Sequence, residues 1–112
     1  MYKIDDDQNI FLTRSDTCSL KLSVVDDNET PYDYSNDLVQ LTVKTTSYTS
    51  DIVIQKNIIG DTFKIEPSDT KNLLYGKYLY DVQIITNLGD VYTVIPPCNF
   101  VLTDEVNFNV ER

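Results

Sequence analysis

The sequence predicts an all-β protein, an antiparallel sandwich of about seven to nine short strands. Apolar and polar residues alternate with a period of two, which directs one face of each strand toward a core. Turn signals such as Gly60-Asp61 separate these alternating segments. No helical periodicity extends beyond about one turn. Because 112 residues hold one core, we expect a single domain over residues 1–112.

Each predicted strand is an alternating segment bounded by polar or glycine-containing turns. The strands are expected at residues 17–25, 39–44, 51–56, 62–67, 77–86, 91–95, 98–103 and 106–110. A tight turn at 87–90, with Gly89 free to take a positive φ, joins two of them as a hairpin. Pro96 and Pro97 cannot donate to a ladder, so that edge strand must break or bulge there.

Residues 67–86 combine an acidic turn, a glycine and a strand with tyrosines at alternate positions. This pattern predicts a corner of the sandwich, formed by Asp69, Leu73, Gly76, Tyr78 and Tyr80. A tyrosine corner needs a hydroxyl that bonds back to the preceding turn, so Tyr78 is expected to reach a backbone group in residues 67–75. Ser68 or Asp69 would cap a single helical turn.

Charge and composition exclude several classes of partner. Nine basic and eighteen acidic residues give a net charge of -9, which opposes binding to nucleic acid or to an anionic membrane surface. No apolar run approaches the roughly 20 residues of a spanning helix. The N-terminus lacks the pattern of a secretory signal, so Cys18 and Cys98 are expected to stay reduced, with Cys18 facing the core.

The sequence contains few residues of the types that enzymes use for catalysis, so no enzyme activity is expected. The chain has no histidine, and its three glycines are not spaced to cradle a phosphate, so no cofactor is expected. Two acidic clusters remain. Asp26, Asp27, Asn28 and Glu29 are weak candidates for calcium, and a solvated turn is the expected alternative. Residues 5–7 are expected to form a frayed N-terminus.

Two groups of residues are candidates for a protein interface. The first is the alternating C-terminal set Val106, Phe108 and Val110. Residues 105–112 are expected either to pair within the domain or to extend to a neighbouring chain. The second is Tyr32 and Tyr34, in a loop where the sequence leaves open whether they pack locally or face a partner.

Three stretches of the sequence resemble one protein family. Residues 14–17 and 24–33 resemble its first turn and following loop, with Ser15 and Glu29 where glycine is common. Residues 69–82 match the pattern D-T-x-x-L-x-x-G-x-Y-x-Y-D-V. On these residues the chain resembles immunoglobulin-like proteins and N-terminal domains of tailed phages and prophages of Gram-positive bacteria, including the phage baseplate upper protein family. The likeness spans nearly the whole chain.

The resemblance implies an immunoglobulin-like sandwich and a virion structural protein of a tail, baseplate or related appendage. Such a protein would assemble in the bacterial cytoplasm, with other virion proteins and copies of itself as partners. Nucleic acid, membrane and small-molecule substrates are not expected. The alternative is a carbohydrate- or protein-binding adhesion module of the sandwich type, and fold analogy alone does not decide between the two.

Overall fold

The computed structural model describes residues 2–46 and 51–103. These residues form eight strands and one short helix, in the order β1 (Tyr2–Ile4), β2 (Ile10–Thr13), β3 (Cys18–Lys21), β4 (Leu38–Lys44), β5 (Ile52–Asn57), β6 (Thr62–Ile65), α1 (Pro67–Thr70), β7 (Gly76–Ile85) and β8 (Val91–Thr103). The strand predicted at 106–110 lies outside the described residues.

The strands form two sheets packed face to face. The large sheet has the order β1-β2-β8-β7-β4-β5, and the small sheet contains β3 and β6. The large sheet curls around the small one: Tyr2 Oη donates to the Ser19 carbonyl at 2.7 Å at one end, and β5 contacts β6 at the other. The predicted all-β sandwich is confirmed. One pairing is not antiparallel, because β2 runs parallel to β8.

The core lies between the two sheets and follows the predicted alternation. On β4, Val39, Leu41 and Val43 are buried, while the residues between them are partly exposed. The small sheet contributes Cys18, Leu20, Phe63 and Ile65 from its inner face. Alternate side chains of a strand point to opposite faces, so this pattern fixes which face of each strand meets the core.

The first predicted strand is shorter than expected. We predicted residues 17–25, but β3 ends at Lys21. The reason is the partner strand: Lys21 pairs with Thr62, the first residue of β6, and the chain turns at Gly60 just before it. Residues 22–25 continue with isolated contacts, among them the Leu22 N–H to the Asp61 carbonyl at 2.9 Å. The small sheet therefore stops short of one end of the large sheet.

The two prolines of β8 lie in a bulge. Val82 of β7 faces Ile95, and Tyr80 faces Cys98, so a step of two residues on β7 matches a step of three on β8. The extra residue lies next to Pro96 and Pro97, as the sequence predicted. The strand is not an edge along its whole length, however, because residues 100–103 also pair with β2.

The corner at residues 67–78 is ordered by side-chain contacts to the backbone. Helix α1 begins after Glu66, whose N–H donates to Asp69 Oδ2 at 2.7 Å. The predicted cap, Ser68 or Asp69, is therefore wrong, because both lie inside the turn that Glu66 begins. Lys56 Nζ lies 2.9 Å from Asp69 Oδ2 and ties this turn to β5.

The tyrosines of the corner make one local and one long-range contact to the backbone. Tyr78 Oη donates to the Leu74 carbonyl at 2.7 Å, within the range 67–75 that the sequence predicted. Tyr80 Oη donates to the Gln8 carbonyl at 2.5 Å. Leu73 packs against the core, and Gly76 has a φ of 144, a conformation that glycine adopts readily.

Tyr78→Phe is expected to lower the free energy of unfolding by about 1 kcal/mol, the net value of one intramolecular hydrogen bond. The loss stays moderate because Leu74 is exposed, so its carbonyl can bond to water instead. Urea denaturation of both proteins measures the difference. An unchanged denaturation midpoint would show that the hydroxyl contact does not stabilise the corner.

Candidate functional site

The most distinctive surface of the molecule is an unpaired strand edge. Residues 91–95 of β8 pair with β7 on one side. On the other side, β2 covers only residues 100–103, and no described strand pairs with residues 91–95. We term residues 91–95 the open edge. Its outward N–H and C=O groups are free to pair with an added strand.

The open edge also lacks cover on its core face. Tyr92 lies opposite Ile84, and Ile95 lies opposite Val82. Directly opposed residues point to the same face of a sheet, and Ile84 and Val82 are each only 1% exposed. Tyr92 is nevertheless 55% exposed, and Ile95 is only half-buried. Ile95 thus packs only partly against the core, and Tyr92 meets solvent on the core face.

A crevice runs between the open edge and the irregular segment that follows β3. Its volume is ≈ 390 Å³, and we term it the edge crevice. It is lined by Gln8, Lys21, Leu22, Ser23, Val24, Val25, Val94 and Ile95. A narrower cavity of ≈ 130 Å³ shares Gln8, Leu22 and Ile95 with it and extends between the sheets to Phe63. The edge crevice combines polar groups with the apolar side chains of Leu22, Val24 and Ile95, and such a surface beside unpaired backbone suits an extended peptide that adds as a strand.

The two loop tyrosines lie near this surface but differ in role. Tyr34 Oη donates to the Leu22 carbonyl at 2.8 Å, which fixes the loop against the crevice wall. Tyr32 Oη donates to Asp37 Oδ2 at 2.7 Å. That bond raises the pKa of Tyr32, and burial and the neighbouring Asp37 and Tyr92 add to the effect. Tyr34 therefore packs locally, whereas Tyr32 lies beside the open edge and remains an interface candidate.

The acidic cluster at residues 26–29 is a hydrogen-bonded turn. Asp26 Oδ1 accepts the N–H groups of Asn28 at 2.9 Å and Thr30 at 3.0 Å. The Glu29 N–H donates to the Asp26 carbonyl at 2.9 Å. Within residues 2–46 and 51–103, no group of three or more His, Cys, Asp or Glu could hold a metal ion. This geometry favours the solvated turn over a calcium site at Asp26, Asp27, Asn28 and Glu29.

Glu29→Gly is expected to raise the free energy of unfolding by about 0.5 to 1 kcal/mol. Glu29 has a φ of 60, a left-handed conformation that costs a residue with a Cβ but not glycine. Glu29→Ala is the matched control, because it removes the same charge but keeps the Cβ. Thermal unfolding of the three proteins tests this, and equal gains in both variants would assign the effect to charge.

The second acidic cluster corrects an expectation. Residues 5–7 are not a frayed N-terminus but the turn between β1 and β2. Asp5 Oδ1 accepts the Asn9 N–H at 2.8 Å, and Asp5 Oδ2 accepts Asn9 Nδ2 at 3.1 Å. These hydrogen bonds lower the pKa of Asp5. The turn also meets β8, since Asn9 Oδ1 accepts the Asn99 N–H at 2.9 Å.

Both cysteines are free thiols with suppressed reactivity. Cys18 lies in the core, and burial raises its pKa to about 12. Burial, with the nearby carboxylates of Asp5 and Asp7, also raises the pKa of Cys98. A nucleophilic or metal-binding cysteine needs its thiolate, which these environments disfavour.

The outer face of the large sheet has a polar depression of ≈ 300 Å³. Glutamine and threonine side chains line it, with pairs such as Gln55 Nε2 to Thr42 Oγ1 at 3.2 Å. Its single carboxylate is Asp81, whose pKa is raised by burial and partly lowered by Lys44. Carboxylate catalysis of glycoside hydrolysis uses a pair of such groups, so this depression does not have that arrangement.

Comparison with known proteins adds no relative. No protein-family model matches this chain, and no curated protein sequence matches it. None of the helices in the described part of the chain is long and apolar enough to cross a membrane. The fold and its site define the protein as an all-β sandwich in which residues 91–95 of β8 have no strand on their second side.

Sequence reasoning did not identify the open edge as a site. Pro96 and Pro97 indicated an edge strand, but not which side of it would be bare. The predicted interface residues Val106, Phe108 and Val110 lie outside the described residues. Of the predicted interface residues, Tyr32 lies beside the open edge. The role of the C-terminal residues stays a prediction.

Proposed function

We propose that the protein is a non-enzymatic structural component of a phage or prophage virion, in a tail, baseplate or related appendage, and that it acts by protein–protein assembly. The observation that carries this proposal is the open edge. An unpaired strand edge is a surface that natural sheets usually cover or protect, because it pairs with other chains. Here it remains available for a specific partner.

Backbone geometry supports the resemblance on which the virion assignment rests. The proteins that this chain resembles commonly have glycine at the positions of Ser15 and Glu29. In this chain Ser15 has a φ of 70 and Glu29 a φ of 60, the left-handed conformation that glycine favours. The two turns thus have the backbone shape that the family pattern implies, despite the different side chains.

The proposed partners are other virion proteins and further copies of this chain. A net charge of -9 keeps free subunits apart until a specific interface forms. The proposal includes no nucleic acid, membrane, cofactor or small-molecule substrate. The protein would be made in the bacterial cytoplasm and function in the virion.

Two observations test the proposal. Sedimentation velocity over a wide range of protein concentration is expected to show reversible self-association, and a monomer at every accessible concentration contradicts assembly through copies of the chain. The genes that flank its gene test the virion assignment. Capsid, portal or tail genes support it, whereas genes of unrelated metabolic enzymes contradict it.

A second candidate function is a carbohydrate- or protein-binding adhesion module. The observation that favours it is a depression of ≈ 320 Å³ lined by Pro31, Tyr32, Asp33 and Tyr34, among others. Tyrosine and aspartate side chains grouped in one loop can contact a polar ligand with both apolar and hydrogen-bonding groups. A glycan array without hits, together with calorimetry that shows no calcium uptake, would count against this function.

A further inference from the structure

We infer that the open edge receives, as an added β-strand, the C-terminal segment 104–110 of a second copy of this chain. This inference rests on the proposed function and specifies its interface. Two observations lead to it. Residues 91–95 have no strand on their second side, and the sequence after Thr103, the last described residue, has the apolar–polar alternation of a strand.

The pattern of the segment fits the edge crevice. Val106, Phe108 and Val110 alternate with Asn107 and Asn109. In an extended strand the three apolar side chains share one face, and the two amides share the other. On the core side of the open edge, the apolar side chains of Leu22, Val24 and Ile95 line the edge crevice together with polar groups, and they would receive the apolar face of the segment. The segment would bury its apolar face and leave its amides in solvent.

The reach of the chain excludes the same molecule as the donor. Strand β8 ends at Thr103, and Val106 follows three residues later, so it reaches at most about 10 Å from that point. Ile95, the nearest residue of the open edge, lies eight residues back along β8, about 26 Å away. Strand β2 also occupies the intervening flank of β8 at residues 100–103. Only a neighbouring molecule can bring residues 106–110 to this edge.

Charge assists the contact. Lys21 is the one cationic side chain among the residues that line the edge crevice. The donor segment carries Asp104 and Glu105 immediately before its apolar residues. An opposite charge at the mouth of the crevice favours the donor and partly offsets the repulsion between two acidic molecules.

The arrangement is head to tail. Each copy supplies one segment and one open edge, and the two surfaces differ, so every copy can bind two neighbours. Such an interface closes into a ring or continues as a filament, depending on the rotation between subunits. Either product suits a component of a repeating assembly.

The first test places a charge on the donor face. Phe108→Asp in the full chain is expected to weaken self-association at least tenfold in sedimentation velocity, because a carboxylate would replace a ring that packs against Leu22, Val24 and Ile95 of the edge crevice. Asn107→Asp adds the same charge one residue earlier, on the solvent face, and is expected to leave association within about twofold. Equal behaviour of the two variants overturns the inference.

The second test changes the acceptor. Tyr92→Glu on the open edge is expected to weaken association at least tenfold as well, because it replaces an apolar ring by a charge of the same sign as Asp104 and Glu105. The matched control is Ile52→Glu on β5, the strand at the end of the large sheet, since Ile52 is 49% exposed and Tyr92 is 55% exposed. Circular dichroism on all variants confirms that each is folded. Weaker association of the Ile52 variant alone would place the interface on β5 and overturn the inference.

Mixing the two defective proteins gives the sharpest outcome. The Phe108→Asp protein keeps its open edge, and the Tyr92→Glu protein keeps its donor segment. An equimolar mixture is therefore expected to form heterodimers and no larger species. No heterodimer in the mixture overturns the inference. If the two variants associate as strongly as the wild-type protein, the proposed interface is wrong but self-assembly is not contradicted. If the wild-type protein never associates, the interface and the proposed self-assembly are both refuted.

Discussion

Phe100→Ala is expected to lower the free energy of unfolding by about 3–5 kcal/mol, the cost of a large cavity in a closed core. Phe100 is 0% exposed and lies where β8 pairs with both neighbours, opposite Ile10 on β2 and Tyr78 on β7. Its ring meets Tyr80 edge-on, with centroids 6.4 Å apart and an interplanar angle of 72°. Removing it disrupts packing on both sides of the strand.

The matched control is Phe11→Ala. Phe11 lies on the adjacent strand β2 but faces outward and is 36% exposed, so its loss is expected to cost about 1 kcal/mol or less. Guanidinium denaturation of the wild type and both variants measures the two values. Similar losses for Phe11 and Phe100 would mean that the core is not centred between the sheets as described.

Thr70→Val is expected to lower the free energy of unfolding by about 1–3 kcal/mol, although it changes neither the shape nor the volume of the side chain appreciably. Thr70 is 0% exposed, and its Oγ1 accepts the Ser15 N–H at 2.9 Å. Ser15 is itself buried and has a φ of 70. Valine offers no acceptor, so a buried N–H in a strained turn would lose its partner.

Thr17→Val provides the control for this substitution, because Thr17 is exposed and lies only two residues from Ser15. Its effect is expected to stay within about 0.5 kcal/mol. If Thr70→Val were equally neutral in chemical denaturation, the bond between α1 and the turn after β2 would contribute nothing to the fold.

The features that the sequence predicted correctly depend on local spacing. The alternation in residues 39–44 and 77–86 gave strands with the expected buried faces, because the period of two decides the face without knowledge of the partner. The Tyr78 hydroxyl contact was predictable for the same reason, since its acceptor Leu74 is four residues away. The all-β sandwich followed from the number and length of such segments.

The features that the sequence missed depend on which distant segments meet. The parallel pairing of β2 with β8 joins residues about ninety positions apart, and no local pattern encodes its direction. The early end of β3 is set by where β6 begins. Asp5 binds Asn9 in an ordered turn, and Asn9 in turn binds β8, which composition alone could not indicate. The open edge results from such distant pairings, because β2 joins β8 only at residues 100–103 and leaves residues 91–95 with β7 alone.

The central claim, that the open edge is where another copy adds a strand, is tested most directly by hydrogen exchange of wild-type amides at several protein concentrations. An added strand bonds the outward N–H groups of residues 91–95, so their exchange is expected to slow as the concentration rises. Exchange in β5 (Ile52–Asn57), at the far edge of the same sheet, is expected to stay constant. Exchange at 91–95 that does not depend on concentration, in a sample that does associate, would contradict the claim.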